Sequence, residues 1–305
     1  MHRCSLSILG LLALLVGTSR GAGNDLKTVG EQVAILEDRR INESSGLALG
    51  IRDPSILWTI NDSGGEPCVF AVDHAGRTRA KVRIPGAANF DWEDLAAARD
   101  ASGQPALFIG DIGDNLHMRP TVQVYQIPEP SVSTPGEDGH ETESAEPLVW
   151  HFTYPNGPLN AEALLVHPVT RRLFIVTKDE EGGSALYAAP ELLRQRAVLT
   201  LEKVLDLRFP SRARLGKRPK DASQITAGSI SGDARRLILS SYTYFYEWAL
   251  APGQSLAEAL ARPPSVIKPK LLAQLEAICY GADSRTLWFT SERLPAPLCR
   301  ITRDR

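Results

Sequence analysis

NFDWEDLAAARDASGQPALFIGDIGDN, residues 89–115, is the stretch that decides the fold. It opens on an acidic cluster (Asp91, Glu93, Asp94), passes through an apolar run and a turn at 101–105, and continues as a strand-like run at 106–109. It closes on Asp111, Asp114 and Asn115. Two strands joined by a tight turn put their free ends at one edge. As a hairpin, this stretch brings its two acidic clusters together.

Outward from there, the chain repeats the unit. Ser45, Glu93, Glu162, Thr226 and Glu276 each open a segment of the same pattern, and the second apolar strands end at Trp58, Phe108, Phe174, Ile238 and Trp288. The offset between these anchors is 12 residues in repeats three to five, 13 in the first and 15 in the second. Third and fourth strands follow, except that the fifth repeat reaches Arg305 without a fourth. Residues 32–37 form a spare strand ahead of the first repeat. Repeats of four short strands read as blades of a ring, WD40-like in organisation. The expectation is an all-β, five-bladed β-propeller whose last blade is closed by the N-terminal strand. The alternative is six blades, with a degenerate blade in the longer spacings.

With 305 residues, 43% hydrophobic and 23% charged, the chain has the composition of a globular protein. Its formal net charge of −2 gives no general case for nucleic-acid binding. His2 and Arg3 precede an apolar run at 6–16 and then small residues up to Gly23. That is the layout of a secretory signal peptide, and the run is shorter than the ~20 residues a spanning helix needs. We therefore expect a leader at 1–23 and one propeller domain over 24–305, extracytoplasmic, monomeric and without a membrane span. Inserts are expected at 128–147, an acidic mobile loop, and at 208–223, a basic one. Residues 191–198 read as a short helix. Export permits disulfides, and among Cys68, Cys279 and Cys299 the pair to test first is Cys279–Cys299, both in the last repeat.

In a propeller, the connection into the first strand of a blade and the one leaving its second strand share a face. The repeat register thereby gathers Asp62, Asp91, Glu93, Asp94, Asp111, Asp114 and Asn115 at one rim, as candidate ligands of a metal ion. Converging carboxylates repel unless a cation offsets them, and hard oxygen donors at irregular spacing suit calcium. Asp and Asn also build turns by bonding to nearby backbone amides, and both readings stand at this point. Glu43, Glu162, Lys178 and Glu276 fall on the same rim as candidate ligand-binding residues. Arg214 and Lys217, in the basic insert, are candidates for holding an anion. No G-x-S-x-G elbow and no convincing Ser/His/Asp set is present.

The motifs ESSGLAL (43–49), LWTINDSGG (57–65), DWEDLA (91–96) and GDIGDN (110–115) together resemble a group of exported bacterial propellers close to the SdiA-regulated and phytase-like esterase families. The resemblance implies a calcium-associated propeller with DWED and GDIGDN at its site. Two functions are carried forward. One is a binding module for an envelope protein, a polymer or a small anionic ligand. The other is a metal-dependent hydrolase of phosphate or carboxylic esters.

Overall fold

The computed structural model describes residues 26–132, 139–179, 183–209 and 219–303. Among these, the strands form five sheets. Blade 1 runs Ser44–Leu49, Ile56–Asn61, Cys68–Asp73 and Thr78–Arg83 from the axis outward. Blade 2 runs Trp92–Arg99, Pro105–Asp111, Val122–Pro128 and Leu148–Thr153. Blade 3 runs Ala161–Val166, Leu173–Thr177, Ala185–Ala188 and Glu202–Asp206. Blade 4 runs Ile225–Ile230, Arg236–Ser241, Phe245–Ala249 and Ser265–Pro269. In blade 5, Leu275–Tyr280, Leu287–Ser291 and Pro297–Ile301 are completed by Glu31–Ile35, which pairs antiparallel with the last of them. The five-bladed β-propeller closed by its N-terminal strand is thus the architecture, and no sixth sheet occurs among the described residues.

Each inner strand packs against the inner strands of the blades beside it, with the last closing onto the first. One apolar cluster fills each interface. Leu164 feeds the cluster between blades 2 and 3, and its neighbour Leu165 the cluster between blades 3 and 4. Successive strand residues point to opposite faces, so a blade buried on both sides reads as a continuous apolar run. Side chains also lace the blades at the axis. Ser45 Oγ donates to Glu93 O at 2.5 Å and Thr226 Oγ1 to Leu275 O at 2.9 Å. Asp94 Oδ2 accepts from Leu164 N at 2.9 Å and Gly228 N at 3.2 Å, joining blades 2, 3 and 4.

Three expectations are corrected. The 128–147 insert is not a loop throughout: His140–Glu143 adds a fifth, parallel strand to the outer edge of blade 1. Its side chains are all exposed, so no apolar pattern marks it. Residues 191–197 contain no helix, and Val198–Thr200 extends blade 2. Cys279 and Cys299 are free and buried, as is Cys68. A strand lies between the two, which separates them by roughly 9.5 Å, beyond disulfide reach. They also face different interfaces, Cys279 toward blade 1 and Cys299 toward blade 4. The leader at 1–23, Arg214 and Lys217 lie outside the described residues.

Candidate functional site

Every inner strand breaks register at the same place. The pairing skips past Ser45, Glu93, Glu162, Thr226 and Glu276, the anchor residues of the five repeats. A bulge leaves one residue unpaired and re-aims its side chain. Here the re-aimed set includes three glutamates, 3–4% exposed. A second set follows from the residues just after the second strands: Asp62, Ile112, Lys178, Tyr242 and Glu292 hold equivalent positions in the five blades.

The two sets meet. Single oxygens of Asp62, Asp91 and Glu93 all lie within 4.8 Å of one another. Asn89 locks this corner, its Nδ2 donating to Asp62 O at 2.6 Å while its Oδ1 accepts from Trp92 N at 3.2 Å. Across the axis, Lys178 Nζ pairs with Glu162 Oε1 and donates to Tyr242 Oη at 2.7 Å. Tyr242 and Glu292 each hydrogen-bond to Glu276, and Gln274 Nε2 donates to Glu292 Oε2 at 2.6 Å.

Among the described residues, six carboxyl groups (Asp62, Asp91, Glu93, Glu162, Glu276, Glu292) thus face one ammonium, that of Lys178. Burial, then the charges of Asp91, Glu276 and Glu43, pushes Asp62 up to about 6. Burial pushes Glu162 up to about 8 even though Lys178 opposes the rise. Glu292 goes up to about 10 through burial and its bond to Glu276. Glu93 is raised well above the carboxylate range by burial and by Glu162, Asp62 and Asp91. Burial alone would lower Lys178, but Glu162, Glu276 and Glu93 more than offset it.

Other acids predicted for this cluster are committed elsewhere. Asp94, adjacent to Glu93 but on the other side of the strand, is fully buried among backbone amides, with Leu95 N on Oδ1 at 2.8 Å. Asp111 pairs with Arg119 at 2.8 Å, accepts from Gln123 Nε2 at 2.8 Å and takes Asp91 N at 3.2 Å. Asp114 closes its own loop, accepting Met118 N and Arg119 N at 2.8 Å each. Asn115 Oδ1 accepts from Asn160 Nδ2 at 3.0 Å. Glu43 is exposed beside Asp62, whose N–H donates to Glu43 O at 2.9 Å. The GDIGDN loop contributes backbone rather than ligands. Gly113 passes so near the corner that a β-carbon there would collide with the carboxylates of Glu93 and Asp91. The repeat register places Tyr242 and Glu292 on this face, but neither was among the candidate ligands, and Gly113 was not singled out from sequence. The shared register with Lys178 and Asp62 is the signal that finds the first two.

The opposite rim uses its aspartates differently. Asp53, Asp73, Asp100, Asp233 and Asp283 each accept a backbone N–H from two residues on. These are turn builders. Hydrogen bonds from Ser55 hold Asp53 below the ordinary carboxylate range, opposite in sign to Asp62.

The chain is therefore a five-bladed β-propeller with acidic side chains converging on one end of its axis. No family model and no curated relative matches it. Among solved structures, it is similar to soluble aldose sugar dehydrogenase from Escherichia coli in its apo form, at 9% identity and a TM-score of 0.47, over 90% of this chain and 99% of that one. It is also similar to a chain of the nidogen/laminin complex, at 10% identity and a TM-score of 0.44, over 82% and 73%. No helix among the described residues is long and apolar enough to cross a membrane.

Proposed function

We propose that the protein is an exported binding module that takes up a divalent cation at this axial mouth and, through it, an anionic ligand. The observation that carries the reading is the approach of Asp62, Asp91 and Glu93, with ligand oxygens within 4.8 Å of one another. Three carboxylates so placed favour a doubly charged ion, which would offset their repulsion. All-oxygen donors from separate loops suit calcium, whose shell of six to eight ligands tolerates irregular geometry. Bound there, the ion would supply positive charge at the centre of the rim. The leader-like N-terminus supports action outside the cytoplasm. Calorimetric titration with calcium tests the reading. One site is expected, with a Kd of roughly 10⁻⁶ to 10⁻³ M by comparison with sensor and extracellular calcium modules. Glu93→Gln should weaken it at least ten-fold. Wild-type protein that takes up no calcium overturns the proposal.

A second reading is favoured by the chain Lys178–Tyr242–Glu276–Glu292. Glu292, pushed up to about 10, holds a proton at neutral pH and is suited to act as a general acid. With the cation, this would make a hydrolase of phosphate or carboxylic esters, in line with the motif resemblance to phytase-like esterase propellers. Calcium-dependent turnover of p-nitrophenyl phosphate or acetate, lost in Glu292→Gln, would establish it. Calcium binding without turnover would leave the binding module.

A further inference from the structure

Phe90, Leu116 and Met118 are 66%, 78% and 74% exposed, and all three line one cleft of about 620 Å³ together with Asp91 and Arg119. Asp91 also belongs to the carboxylate corner, so the cleft and the proposed cation site share that side chain. The loop bearing Leu116 and Met118 is held in place. Asp114 accepts two backbone amides from it, His117 N donates to Asp114 O at 2.9 Å, and His117 sits at φ 54°. Arg119 Nη1 ties the loop back through Gly113 O at 2.7 Å. Large apolar side chains held in water on a fixed loop forgo the transfer free energy that burial would give them.

From this we infer that the ligand is amphiphilic, an anionic head at the mouth with an apolar alkyl or aryl arm lying in the Phe90–Leu116–Met118 cleft. The inference rests on the cation reading above and names the ligand class for that site. Charge complementarity supports it, because the cation would face the anionic head, while the Arg119 guanidinium is already held by Asp111 and Gly113 O. The size of the patch favours a small molecule. Three side chains cover on the order of a few hundred Å², less than the ~800 Å² per partner of a stable protein interface. The cleft volume falls within the range usual for small-ligand sites.

The test is titration of methyl, butyl and octyl phosphate into the calcium-loaded full chain and into a Leu116→Ser/Met118→Ser variant. Both positions are exposed, so the variant should fold and bind calcium as the wild type does. Fully burying each methylene would strengthen binding about four-fold, and an open cleft covers part of that. Affinity should therefore rise about ten-fold or more from methyl to octyl, and the rise should vanish in the variant. Calcium uptake with a flat series, or a rise that persists in the variant, overturns this inference and leaves the cation reading intact. No calcium uptake removes both. A rise that appears only above the micelle-forming concentration of octyl phosphate signals a lipid-like surface and also counts against the inference.

Discussion

The backbone of Gly113 lies against the carboxylate of Glu93 with no room for a side chain between them. Its φ lies outside the left-handed region, so what excludes a larger residue is space and not backbone conformation. Gly113→Ala should displace Glu93 and Asp91, weakening calcium uptake about ten-fold or more, in the range found when metal-ligand supports are disturbed. The overpacking should cost about 1–3 kcal/mol. Calorimetry and denaturant melts read the two effects separately.

Among the described residues, Lys178 is the one ammonium beside six carboxyl groups, and its side chain is 13% exposed. Lys178→Met leaves Glu162 without its partner. Above about pH 8, where Glu162 is ionised, removing one member of this buried pair should cost about 3–5 kcal/mol, and calcium should restore part of the loss. Urea unfolding with and without the ion measures both. A variant as stable as the wild type in the ion-free state would contradict this account of the charge balance.

Folding raises the pKa of Asp62 to about 6 and that of Glu162 to about 8. Between the ordinary carboxylate range and these values, the folded state binds more protons than the unfolded one. Stability therefore declines as pH rises across that window. The ion-free protein should melt at progressively lower temperature from about pH 4 to about pH 8, and saturating calcium should flatten the decline. Melting curves over that range check the sign.

Asp94 accepts three buried amides. Asp94→Ala strands them and should cost about 3 kcal/mol or more. Asp94→Asn keeps a carbonyl oxygen and should cost less. Neither should change calcium affinity by much, because Asp94 lies off the corner. A ten-fold loss in the Asn variant would return Asp94 to the ligand set.

The ring was legible because its cause is local. Each blade repeats the same anchors, and those anchors prove to be the bulged residues whose side chains turn inward. What the letters do not carry is the partner of each acid. Glu93 and Asp94 are neighbours of like charge, yet one side chain joins the carboxylate corner while the other meets backbone amides. That difference is set by strand pleat and by the blades opposite. Asp111 likewise reads as a ligand until Arg119 and Gln123 are seen to occupy it. His140–Glu143 escaped notice because a polar strand added at an outer edge leaves no hydrophobic period. The Cys279–Cys299 pairing failed because nearness in repeat order ignored the intervening strand.

The segment from Thr28 to Ile35 pairs first with the outer strand of blade 4 and then with the last strand of blade 5, where Arg300 meets Glu31 across 269 positions of sequence. During biosynthesis, these early strands have nothing to grip until blades 4 and 5 have been made. Four blades can collapse locally while the circle stays open, and the final stitch fixes all of them at once. Deleting either closing strand should therefore loosen the assembly far from the cut.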